Sequence, residues 1–245
     1  MKVIIKTVFF SVFLSCALAF SQFTIAQQGT YQNDDFMIRK VQVKHHKETQ
    51  AMIWEIKVKG DAGATQPKPA GQLDGAPVLG YVFPTTLKPS DVGFNNTSGI
   101  VALALTSHPD FDDTPLWDEN RDQKFDNDGI VWHPHWVVLT KDKRVKGGLA
   151  VKQFKKGDTS VKLPPTNPGM PMYMDSPGFQ VITHKNTIKV VVPNYRMNNQ
   201  MNFKFDAVAC YMQVNTSKKD KPMLGVYAVY SVASGNLSLP YQVKK

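Results

Sequence analysis

Segments such as "TIKVVVP" (187–193), "GIVALALTS" (99–107) and "GIVWHPHWVVLT" (129–140) alternate apolar and polar residues or run apolar between turn formers. The same holds for "FMIRKVQVKH" (36–45), "AMIWEIKVKG" (51–60), "GGLAVKQF" (147–154), "FKFDAVACYMQVN" (203–215) and "MLGVYAVYSVAS" (223–234), each bounded by Gly, Pro, Asn or Asp. Strand residues face opposite sides in turn, so this period belongs to β-structure. No window sustains the helical period of about 3.6 residues with caps. The chain therefore predicts an all-β fold: an antiparallel β-sandwich of about nine or ten strands, with a closed barrel as the alternative architecture. Residues 60–77 and 163–178 are too rich in Gly, Pro and Ala for strands and read as long Pro/Gly-rich loops of one domain.

The first residues obey another logic. Lys2 and Lys6 precede an apolar run ending in small residues, with Ala-Leu-Ala at 17–19 and Thr-Ile-Ala at 24–26. That is the layout of a secretory signal peptide over 1–26, followed by a single domain over 27–245, in a secreted or periplasmic protein. Cys16 leaves a lipid-anchored variant open, although Phe13 stands where an aliphatic residue is expected. The mature chain keeps one cysteine, Cys210, so it forms no internal disulfide and expects a buried, inert thiol there. The predicted mature chain contains no transmembrane segment.

Charge is unevenly spread over the 245 residues, whose formal net charge is +9. Eight of the 20 acidic residues fall within "SHPDFDDTPLWDENRDQKFDNDGIVWHPHW" (107–136), beside three of the six histidines. The lysines elsewhere are dispersed over alternating strands without an arginine-rich run, which argues against a nucleic-acid partner.

Within this acidic stretch, Asp118, Asn120, Asp122, Asp126 and Asp128 place oxygen donors at alternating positions, as calcium prefers. Gln123 and Gly129 stand where an EF-hand needs Gly and Glu, so any such loop sits on a β scaffold. The competing reading is a solvated acidic turn. Asp110, Asp112 and Asp113 could complete the same site or form another.

His133 and His135 flank Pro134, and a strand would project both from one face with Cα atoms roughly 6.5–7 Å apart. Together with His108 or a nearby aspartate they could ligate zinc or copper; alternatively they balance the acidic loop by hydrogen bonding. Pro134 cannot donate to a ladder, which points to an edge or a bulge. Met170, Met172 and Met174 are spaced for Cu(I) in a Pro-rich loop, or are fillers packed over the core. Trp132 and Trp136 share the opposite face from the histidines and read as core. Trp117, in a loop, is a candidate platform for a glycan or another small planar ligand.

The landmarks "LDGAPVLGYVFPTTLKPSDVGF", "GIVALALTSHPDFDDTPLWDEN" and "NDGIVWHPHWVVL" resemble those of uncharacterised secreted bacterial β-sandwich proteins, a likeness that implies no particular activity. More remotely, "IKVVVPNYRMNNQMNFKFDAVACYMQV" is similar to late strands of DOMON and carbohydrate-binding sandwiches, which implies haem or sugar as a ligand class. No Gly-x-Ser-x-Gly elbow, His-Glu-x-x-His motif or phosphate-binding glycine loop is present. The residues thus point to an exported metal-binding protein, with calcium at the Asp/Asn loop as the first expectation and a His-ligated transition metal as the second. A carbohydrate- or haem-binding module is the alternative, and a metal-dependent hydrolase built on the histidines and aspartates a further one.

Overall fold

A computed structural model describes residues 31–114, 118–119, 121–124 and 127–244. The signal-like residues 1–26, together with Trp117, Asn120 and Asp126, lie outside the described residues. Residues Asn33–Lys245 form one compact unit, and its strands are antiparallel. In chain order they are β1 (Ile38–His46), β2 (Ala51–Val58), β3 (Pro77–Pro84), β4 (Ile100–Ser107), β5 (His133–Lys141), β6 (Leu149–Val151) and β7 (Met174–Asp175). After these come β8 (Val181–His184), β9 (Thr187–Pro193), β10 (Lys204–Phe205), β11 (Val208–Val214), β12 (Leu224–Val232) and β13 (Tyr241–Gln242).

The all-β, antiparallel expectation holds, but the architecture is not a clear sandwich. Strands β4, β3, β11, β12, β6 and β5 lie side by side, and β4 also pairs with β5, closing a six-stranded barrel. Closure satisfies the two edges that an open sheet would expose. It needs a narrow interior, and small residues provide it: Ala102, Ala104 and Cys210 point inward among Val78, Val82, Met212 and Val226. Gly80 is part of the same fit, because a Cβ there would lie 2.6 Å from the Met212 methyl. Cys210 is fully buried and burial pushes its thiol up to about 12, in keeping with an inert structural cysteine.

A separate four-stranded sheet, in the order β1-β2-β9-β8, supplies the second layer. Trp54 of β2 has no exposed surface. Its ring centroid lies 5.3 Å from that of Phe83 on β3 and 5.9 Å from that of Trp136 on β5. The barrel wall thus has an apolar inside and, where it meets Trp54, an apolar outside. This explains β3, a strand without alternation: all eight of its residues are buried, so no polar face exists to mark the period. It explains β5 as well. Trp136 faces Trp54, while His135 and Val137 line the interior, so the histidine face looks into the barrel rather than to solvent.

Candidate metal centre

The centre forms where β4 ends and β5 begins. These strands are antiparallel neighbours, with Thr106 opposite His133 and Ala104 opposite His135. His108 follows β4 directly, and its N–H donates to the Gly129 carbonyl at 2.8 Å, tying the two roots of the 108–132 connection together. The period of two turns His133 and His135 inward. Pro134 pairs with Leu105 of β4, while pairing with β7 on the other side starts only at Trp136, so the missing N–H falls beyond that ladder.

His108, Asp113, His133 and His135 bring one donor atom each to within 4.8 Å of one another. Asp113 Oδ1 lies 3.3 Å from His108 Nε2, 3.2 Å from His133 Nε2 and 3.5 Å from His135 Nε2. The two nitrogens of His108 and His133 are 2.9 Å apart. A tetrahedron of bonds of about 2.0–2.1 Å has edges of roughly 3.3–3.5 Å. Three of these donor separations fall on or beside that range. The four side chains are between 2% and 7% exposed, which makes the centre dry.

The outer ring nitrogens determine which way the lone pairs point. His108 Nδ1 donates to the Phe111 carbonyl at 2.8 Å, and His133 Nδ1 to the Val131 carbonyl at 2.6 Å. A carbonyl can only accept, so in both rings Nδ1 carries a hydrogen, and in the neutral ring Nε2 then turns its lone pair inward. His135 Nδ1 meets the Ser176 hydroxyl at 3.0 Å. Asp113 Oδ1 is buried and receives no hydrogen bond of good geometry. The Thr106 hydroxyl, 3.3 Å from His133 Nε2, is a further polar group on this nitrogen. Electron pairs facing one another in a dry site repel unless a cation or a proton stands between them.

The protonation balance has the same origin. Burial pushes the Asp113 carboxyl up, but the surrounding His135, His108 and His133 overturn this and hold it well below the usual carboxylate range. Burial pulls His133 down, and Asp113 more than reverses that, leaving it raised. His135 is drawn down to about 3 by burial and by its imidazole neighbours, against the attraction of Asp113.

Packing holds the rings. Phe111 stacks on His108 with centroids 4.0 Å apart and planes 6° from parallel. Gly129 has φ +113°, and a Cβ there would come 2.7 Å from the His108 ring and 2.6 Å from the Phe111 carbonyl. Here the missing side chain makes room for a candidate ligand. Met170, Met172 and Met174 line a cavity of about 20 Å³ together with His108, Asp113 and His135. Met172 and Met174 are 1% and 2% exposed and belong to the barrel core. They thus form an apolar floor beside the centre.

Of the acidic candidates, Asp113 joins the histidines and its neighbours turn elsewhere. Asp110 accepts the N–H groups of Ala70 and Gly71, and Asp112 accepts the backbone N–H and the hydroxyl of Thr114. Asp118 accepts the N–H groups of Asp122 and Gln123, while Asp122 accepts from Lys124 and from the Asn127 amide. Asp128 is buried. Glu119, a residue without a role in the sequence reading, clasps the N–H groups of Ile130 and Val131 at 3.0 and 2.8 Å. Asx turns were the available signal for these partners. Among the described residues, the group that converges as a metal site is the His₃Asp one.

Comparisons with family models, with curated proteins and with solved structures returned no match to this chain. Fold and site define it as an all-β protein with a closed barrel and a buried His₃Asp group that could hold a metal ion. No helix among the described residues is long and apolar enough to cross a membrane.

Proposed function

We propose that this is an exported metal-binding protein whose His108, Asp113, His133 and His135 hold one divalent first-row transition metal, zinc foremost. The observation that carries the reading is the convergence of three imidazole Nε2 atoms on Asp113 Oδ1, at separations close to a tetrahedral edge. Three nitrogens and one oxygen suit zinc, and copper as the next choice. Calcium wants six to eight oxygens, so the donor set favours the transition-metal half of the sequence expectation over calcium at 118–128. Four protein donors leave no open position of the kind a metallohydrolase keeps for water, so the ion's work is holding. It joins His108 and Asp113 to His133 and His135 across the whole acidic connection. Export rests on the signal-like residues 1–26.

Elemental analysis of the purified mature protein, followed by competition between zinc, copper and calcium for the stripped form, tests this. The expected result is one equivalent of zinc or copper that excess calcium does not displace. Calcium as the retained ion, or no retained ion and no uptake of zinc or copper, would overturn it.

A further inference from the structure

A cleft of about 510 Å³ opens beside the metal centre, between the start of β5 and the segment leading into β8. Its walls include Trp132, His133, Pro134 and Phe179, with Glu119 and Gln180 among its polar groups. This volume is within the range of small-molecule sites, which is about 300–1,000 Å³.

The walls are fixed before any ligand arrives. Trp132 Nε1 donates to the Gly63 carbonyl at 2.9 Å, and its ring lies 4.9 Å from that of Tyr81. Phe179 carries the Arg196 guanidinium 5.4 Å from its ring centroid. Glu119 is pinned by its two backbone N–H groups, and His133 by the Val131 carbonyl. Each of these groups therefore has its position set by the protein, which lowers the ordering cost of binding.

Charge narrows the ligand class. The described lining contains no lysine or arginine, although the chain as a whole is basic, and it does contain the Glu119 carboxylate. A phosphate or carboxylate would meet that negative charge with no lysine or arginine in the described lining to offset it. The half-buried Phe179 side chain suits a ring presented face-on, and the exposed Gln180 amide offers both a donor and an acceptor to its edge.

We infer that this cleft binds an uncharged, ring-bearing small molecule, one flat face against Phe179 and its polar edge toward Gln180. Sugars and neutral phenols share that chemistry. The inference goes beyond the metal reading and has only His133 in common with it, as one wall of the cleft and one ligand of the centre.

Ligand-observed NMR titrations of the full mature protein test it, with zinc loaded and with zinc stripped. One arm uses methyl glucoside and cellobiose, the other phenol and hydroxybenzyl alcohol, and phosphorylated analogues accompany each. Saturable binding in one arm is expected and identifies the source. It should weaken about tenfold or more in Phe179→Ala, weaken less in Gln180→Ala, and be poorer for the phosphorylated analogue. Absence of saturable binding in both arms, indifference to both substitutions, or equal binding of the anionic analogue would overturn the inference. Metal content, measured in parallel, keeps the two readings apart. Protein that retains no metal yet binds the ring through Phe179 sinks the metal reading alone, and zinc-loaded protein that binds no ring sinks the cleft alone.

Discussion

The acidic turn beginning at Asp118 and the histidine centre at the barrel mouth are both crowded with residues that metals favour, and they differ in where the donor atoms point. In the turn, the oxygens of Asp118 and Asp122 face N–H groups of their own loop. At the barrel mouth, two backbone carbonyls hold the outer nitrogens of His108 and His133, so the inner ones face each other and Asp113. The described carboxylates of the turn are met by donors, whereas the facing atoms of the histidine group leave a place for a cation or a proton. Density of ligand-type residues does not make a site, and the hydrogen bonds behind them decide.

The sharpest way to break this contrast is to remove a ligand. His133→Ala should abolish stoichiometric zinc and weaken affinity by more than the roughly 10–100-fold that changes behind a ligand cost. Calorimetry and thermal melts check it. Zinc at about a hundredfold over its dissociation constant should raise the melting temperature of the parent by about 5–11 °C, and leave the variant unchanged. Gly129→Ala comes next. Its side chain would press on His108 in a backbone conformation that costs other residues about 1–3 kcal/mol, so melting temperature and zinc affinity should fall together. Ser176→Ala removes only the hydroxyl behind His135. Zinc affinity should drop about 10–100-fold while the melting temperature of the stripped protein changes little. Asp118→Asn should have the smallest effect. It leaves one of the two oxygens that accept from Asp122 and Gln123 on an exposed turn, so zinc affinity should stay within about twofold and the melt within about 4 °C. A large loss of metal in Asp118→Asn alongside little in His133→Ala would reverse the comparison.

Much of the fold was legible because one layer alternates. The segment 187–193 is β9 residue for residue, and 99–107 and 223–234 enclose β4 and β12. The reading of 203–215 as one strand breaks at Asp206 and Ala207, which separate β10 from β11. Asp206 there accepts the N–H of Ala207 and both polar groups of Ser234. Strand β3 has two buried faces and so no period to read. Barrel closure depends on the register of β4 against β5, a non-local fact that no local pattern carries.

The centre was legible to a similar depth. His133 and His135 stood out by spacing, and His108 by proximity. Asp113 could not be separated from Asp110 and Asp112 in sequence, because the distinction lies in which backbone N–H groups each carboxylate meets. Trp132 is core, as its parity with Trp136 implied, and it also forms a wall of the cleft.

The central claim is most directly tested by X-ray absorption at the K-edge of the metal in the zinc-loaded protein. The expected first shell has three imidazole nitrogens and one carboxylate oxygen, all at about 2.0–2.2 Å. A shell with fewer than three imidazoles, or one made mainly of oxygen, would contradict it.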